Sequence, residues 1–186
     1  VILYRCFAWN ENARSSDQDG PLWFPRPFQG EGRHDNPDLY GCVYLADRPL
    51  SCLVEQLARF RGQRLTSALL HRRGLPLALA ELELDPESEV IDLDDPTVLR
   101  RERLTPSTVA TRHRTITQPQ ARALFERHAD IAGLRWWSIY ESLWMNVTMF
   151  DRAHKRLRVR SVRALSVQDH AVTEAADFFG LRTQRS

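Results

Sequence analysis

Five polar side chains stand in apolar surroundings, and their types could do chemistry: Arg5 within ILYRCFA, Arg33 behind the glycines of GEGR, Tyr44 within CVYLA, Glu55 in the segment that follows, and Ser138 after two tryptophans. Arg33, Tyr44 and Glu55 are spaced by eleven and eleven residues. Arginine offers a planar fork of donors that suits fixed, bidentate contacts to phosphate or carboxylate. Inside an apolar strand, the guanidinium of Arg5 must find a partner, because an unpaired buried charge is costly. Taken singly, the other four have ordinary readings. Glu55 lies about 140° from the core stripe of its helix, at the 100° per residue of an ideal helix, which is the place of a solvated surface glutamate. Tyr44 reads as a core tyrosine with a satisfied hydroxyl and Arg33 as a loop arginine. Ser138 alone points nowhere.

Other chemistries find little support. The histidines at 34, 71, 113, 128, 154 and 170 form no paired i, i+4 ligand set and no Cys/His knuckle, so no metal is expected. GEGR at 30–33 lacks the spacing of a dinucleotide or Walker loop and does not open a helix. Cys6, Cys42 and Cys52 are odd in number and sit in apolar contexts, as buried thiols of a reducing compartment do. The net charge of +2 is not that of a general nucleic-acid binder, although Lys155 is the sole lysine among 26 basic residues. No apolar run reaches the length of a membrane span. The N-terminal VILYRCFA is too short for a signal peptide and has no basic region before it.

The elements that must position these side chains follow from periodicity and punctuation. A strand is predicted over 2–8, then a loop over 10–41 broken by glycines and prolines, whose Trp23, Phe24 and Phe28 suggest that it packs down. A strand over 42–46 leads to a helix over about 48–61, capped by Asp47, with Leu50, Leu53, Val54 and Leu57 as its core stripe. A second short helix is expected at 65–73, a half-exposed strand at 77–84 and a further strand at 90–93. Asp95-Pro96 opens a helix to about 103, and Thr117-x-x-Gln120 reads as the capping box of a helix ending near 129, with Leu124 and Phe125 facing its core. Strands over 134–141, 146–151 and 157–165 precede a last helix that Ser166-x-x-Asp169 caps and Gly180 stops. The order describes a single α+β domain over 1–186.

The ordered set of motifs resembles the RES-domain toxins, named for an Arg, a Glu and a Ser, which pair with Xre-type antitoxins. The residues that carry the resemblance are Tyr4-Arg5, Gly32-Arg33, Val43-Tyr44-Leu45-Ala46, Glu55, Gly133 followed by Ser138, and Asn146 followed by Phe150-Asp151. They span about residues 2–165. The chain departs from the family pattern at His34-Asp35-Asn36, where members often carry Trp or Phe plus Asn, and WWSIYES holds a second serine, Ser142.

The resemblance implies a fold like that of ADP-ribosyltransferases, a mixed sheet core with flanking helices, and an enzyme that consumes NAD+ as substrate without a further cofactor. Cleaving the nicotinamide–ribose bond develops positive charge on the sugar, and a nearby carboxylate, here Glu55, would stabilise it. Arg33 and Arg5 would hold the pyrophosphate. Tyr44, placed in the catalytic set with Glu55, would stack on nicotinamide or ribose. Ser138 would hold a ribose hydroxyl or the carboxamide. The acceptor stays open between water, phosphate and a protein side chain. The resemblance also implies a cytoplasmic protein held inactive by an Xre-type antitoxin, with neither membrane nor direct nucleic-acid contact. The rival reading is an Arg-rich module that binds or cleaves RNA, motivated by His34, His113 and the arginines at 158, 160 and 163.

Overall fold

A computed structural model describes residues 1–182. Eight strands form one mixed sheet: β1 (Ile2–Ala8), β2 (Cys42–Ala46), β3 (His71–Arg72), β4 (Leu75–Leu84), β5 (Val90–Asp92), β6 (Gly133–Trp137), β7 (Met145–Phe150) and β8 (Leu157–Ala164). Hydrogen bonding runs in the order β3-β4-β1-β2-β7-β6-β5, with β8 also paired to β4. β1 is antiparallel to both β2 and β4, β6 is antiparallel to β7, and β5 runs parallel to β6. The helices are α1 (Pro49–Leu57), α2 (Pro96–Glu102), α3 (Pro106–Ala110), α4 (Arg114–Arg127) and α5 (His170–Phe178). The α+β class with a mixed sheet core and flanking helices is therefore what forms.

The chain divides into two compact units. One holds residues 24–45 and 84–158 with Val1; the other holds 2–23, 46–83 and the chain from Val159 onward. The core of the first gathers Tyr40, Ile91, Leu99, Leu124, Leu134, Trp136 and Phe150, with Leu39, Tyr44 and Phe125 packed against it. In the second, α1 packs on α5 and on β1, and Leu53, Val54, Leu57 and Val172 are fully buried.

Several local expectations are corrected. Helix α1 starts after Arg48, which takes the N-cap place expected of Asp47 and makes no side-chain cap bond; Leu50 is only half-buried. The helix expected at 65–73 is a 3₁₀ turn over Ser67–Leu70 followed by the β3–β4 hairpin. Arg73 and Gly74 close that hairpin with φ of 52° and 77°, the positive values a two-residue loop requires. Residues 77–80 of β4 are buried on both faces, Leu77 and Leu79 on one and Ala78 and Ala80 on the other; alternation begins only beyond them, with Glu81 and Glu83 partly exposed. α3 was not expected; Pro106 starts it and Thr105 caps it.

Helix α4 begins a turn before the expected capping box. Thr117 lies inside it, 1% exposed, and its hydroxyl is turned to a loop carbonyl instead of a helix amide. β6 stops at Trp137 rather than continuing to Glu141, because the chain bends at Ile139 and Tyr140. The last helix takes Asp169, not Ser166, as its N-cap, with the Asp169 carboxylate accepting from the Ser166 amide and pairing with Arg163. Gly180 does end that region, at φ 63°.

Candidate functional site

In the first unit the long loop makes a tight turn at Gly30–Asp35. The Asp35 carboxylate, 5% exposed, holds it: Oδ2 accepts from the Gly30 amide at 2.8 Å and the Gly32 amide at 2.6 Å. Oδ1 accepts from the Tyr44 hydroxyl at 2.7 Å and weakly from the Cys42 thiol at 3.4 Å. The Tyr44 oxygen in turn accepts from the His34 amide at 2.9 Å. Burial, together with the negative charge of Asp35, pushes the Tyr44 phenol well above its ordinary range, so it stays protonated. Helix α4 braces the same turn. Gln118 donates to the Gly30 and Gly32 carbonyls at 3.0 and 2.9 Å, and Thr117 donates to the Arg33 carbonyl at 2.6 Å.

The Arg33 side chain leaves this turn toward the end of α3. Its Nη1 donates to the Val109 and Thr111 carbonyls at 2.6 and 2.8 Å, and its guanidinium lies over the Trp136 ring, 4.6 Å from the centroid. Arginine placed there satisfies carbonyls that a short helix leaves without partners, and the aromatic face adds a cation–π contact. Trp136 in β6 donates from Nε1 to the Thr148 hydroxyl of β7 at 3.0 Å, and that hydroxyl also meets His34 Nδ1 at 2.8 Å. His34 is 4% exposed, and burial plus the adjacent Arg33 lower its pKa to about 3, so the ring is neutral. Two residues beyond Trp136, Ser138 is buried; its amide donates to the Trp144 carbonyl at 2.8 Å and its hydroxyl accepts from the Tyr140 amide at 3.2 Å. Ser142 is exposed on the turn that follows. Arg33 and Tyr44 are thus brought together by the Gly30–Asp35 turn, and Ser138 closes the strand on which Arg33 stacks.

Arg5 and Glu55 belong to the second unit. Arg5 sits in β1 opposite Ala80, 6% exposed, with Nη1 donating to the Pro21 carbonyl at 2.6 Å and Nη2 to the Trp23 carbonyl at 2.8 Å. The loop's own backbone thus partners the buried guanidinium, and Phe7 lies beneath it at 4.9 Å. Glu55 lies on α1 next to buried Val54 and is half-buried, not a fully solvated surface residue. Its charge is one of the smaller contributions that raise the buried Cys52 thiol.

Three residues escaped the sequence reading. Asp35 carried a signal, an acid three residues after a glycine, which is a turn-closing arrangement. Trp136 was visible only as packing and Thr148 not at all, since their roles depend on strand pairing. Of the loop's large hydrophobic side chains, Phe28 is exposed; Trp23, Phe24 and Leu39 are partly buried. Among the described residues no cluster of His, Cys, Asp and Glu could hold a metal ion, and no helix is long and apolar enough to cross a membrane.

The RES domain family matches residues 2–173, which run through both units. The chain belongs to the RES domain family. Among solved structures it is similar to a chain in the crystal structure of the M. tuberculosis MbcT–MbcA toxin–antitoxin complex, with a TM-score of 0.63 at 19% identity over 97% of this chain and 88% of that chain. This likeness shows the shared fold. No curated protein matches the chain.

Proposed function

We propose that this RES-domain chain is the NAD+-consuming toxin of a toxin–antitoxin pair. The observation that carries the reading is the family match over residues 2–173, with the glycine turn that leads into Arg33 and the Tyr44 hydroxyl both held by the buried Asp35 carboxylate. The fold shared with the MbcT–MbcA toxin–antitoxin complex agrees with it. In this reading the bond between C1′ of the ribose and the nicotinamide nitrogen breaks, and its electron pair leaves with nicotinamide. Glu55 stabilises the cation left on the sugar. Arg33 and Arg5 contribute positive charge toward the pyrophosphate, Tyr44 offers its ring face, and Ser138, rather than the exposed Ser142, holds a hydroxyl or carboxamide. Water, phosphate or a protein side chain then takes the ADP-ribosyl group.

Three of the residues that motivate the RNA alternative are engaged within the fold. His34 is buried, neutral and bonded to Thr148, which is a poor position for a base acting on a ribose hydroxyl. Arg160 and Arg163, on β8, are paired with Glu83 and Asp169.

The deciding assay mixes purified chain with NAD+ and follows free nicotinamide, with and without phosphate, to identify the acceptor. Expression in bacteria should lower cellular NAD+ before growth stops, and a co-encoded Xre-type protein that covers the NAD+ site should prevent both. Failure to release nicotinamide refutes the enzymatic reading. Harmless expression of a chain that does cleave NAD+ refutes the toxin role.

A further inference from the structure

The geometry points to Asp35 as a positioning residue that sets the Arg33 turn and the Tyr44 ring together; the inference rests on the reading of those two groups as parts of an NAD+ site. Its carboxylate is spent on four donors, the amides of Gly30 and Gly32, the Tyr44 hydroxyl and the Cys42 thiol. That matches the roughly four lone-pair positions an ionised carboxylate offers. Two backbone N–H groups converging on one oxygen form a small anion-binding concavity, filled here by the chain's own side chain.

The closeness of the parts makes the arrangement stiff. A Cβ added at Gly32 would lie 2.4 Å from the Tyr44 oxygen and 2.5 Å from Asp35 Oδ1, so only glycine lets turn, carboxylate and phenol meet. Arg33 follows directly, so the backbone from which its guanidinium departs is held by Asp35 on one side and by Thr117 on the other. The Tyr44 hydroxyl donates to Asp35 and accepts from the His34 amide. Its proton is therefore committed, and Tyr44 works through the placement of its ring rather than as an acid or base.

The substitutions separate the two halves of the clasp. Asp35→Asn keeps an oxygen for the glycine amides but places an N–H₂ donor against the Tyr44 O–H, so the phenol must turn. Asp35→Ala removes both halves. In steady-state NAD+ cleavage, Asp35→Asn is expected to raise KM about tenfold while kcat changes less than about threefold, the mark of misplaced binding groups in a folded enzyme. On a Tyr44→Phe background the same substitution should add less than about twofold, because the shared hydroxyl is gone. The chain has 8 glycines, so glycine-selective ¹⁵N labelling resolves their amide exchange individually. Asp35→Ala should speed exchange at Gly30 and Gly32 by about 100-fold and leave Gly133 unchanged, and Asp35→Asn should largely preserve the protection.

Unchanged exchange at Gly30 and Gly32 in a folded Asp35→Ala protein would overturn the inference. So would additive effects of Asp35→Asn and Tyr44→Phe, or a loss of melting temperature with KM intact. Should Asp35→Ala fail to fold, Asp35→Asn and Tyr44→Phe carry the test. If the unsubstituted chain leaves NAD+ intact, the proposed reaction falls, and the exchange rates at Gly30 and Gly32 alone decide whether Asp35 sets the turn.

Discussion

Arg5 poses the sharpest choice between binding substrate and holding the fold. Arg5→Ala removes a guanidinium that is 6% exposed and bonded to the carbonyls of Pro21 and Trp23 at 2.6 and 2.8 Å. A hydrogen bond to a charged group contributes about 1.5–3 kcal/mol net. The bond to Pro21 is buried and the one to Trp23 only partly so, which puts the combined loss near 3 kcal/mol. For a chain of 186 residues each kcal/mol moves the melting temperature by about 2–4 °C, so Arg5→Ala should melt about 6–12 °C below the parent. Arg5→Lys should recover only part of this, because one ammonium on a flexible stem does not reproduce a fork aimed at two carbonyls. Thermal unfolding by circular dichroism gives the number, and NAD+ titration of the folded variants at low temperature gives the affinity. A shift under about 2 °C would refute the bracing argument. A large shift with unchanged NAD+ affinity would confine Arg5 to the fold and end its assignment to the pyrophosphate.

Glu55→Gln should keep the fold and most NAD+ affinity while lowering nicotinamide release by about 100-fold or more; near-parental turnover would remove Glu55 from the chemistry. Arg33→Ala should weaken NAD+ binding and also lower the melting temperature by several degrees, since the Val109 and Thr111 carbonyls lose their donor; unaltered NAD+ affinity in calorimetric titration would exclude it from the site. His34 has a folded pKa lowered to about 3 against an ordinary 6.5, so between those values the unfolded chain binds the extra proton and stability falls as pH falls. The slope contributed is up to about 1.4 kcal/mol per pH unit, and denaturant unfolding from pH 4 to 7 should show it reduced in His34→Asn; an equal slope in both proteins would show that His34 is protonated in the fold.

Strands carried most of what was legible. The runs at 2–8, 42–46, 146–151 and 157–165 form strands within a residue or so of where apolar content placed them, because a buried strand needs little beyond a short apolar segment and a stop. Helix starts were less legible. At Asp47, Thr117 and Ser166 a capping residue was present, but each has other demands on it or lies off the observed start. Thr117 is the clearest case: its hydroxyl serves the Arg33 carbonyl, a contact between residues 84 apart that no local pattern encodes. The hairpin at Arg73-Gly74 hid for a related reason. Apolar residues on both sides of a single glycine fit a helix stop and a hairpin turn equally well, and tertiary pairing with β4 chose the turn.

The site divides along the same line. The identities of Arg33 and Tyr44 were readable because each sits in a short motif of its own, glycine before arginine and tyrosine within an apolar strand. What joins them was not. Asp35 links a turn to a strand residue nine positions on, and Trp136 and Thr148 reach the Arg33–His34 pair only after β6 and β7 have paired. Arg5 shows the converse. Its apolar setting demanded a partner for the guanidinium, the resemblance implies a phosphate, and the structure gives it the carbonyls of Pro21 and Trp23. A loop of some thirty residues between β1 and β2 has many backbone groups to satisfy, and an arginine buried in the adjoining strand satisfies two of them at once. Burial of a charge therefore argues for a contact, and the geometry gives one within the fold, while NAD+ titration of Arg5→Ala decides whether the ligand shares it.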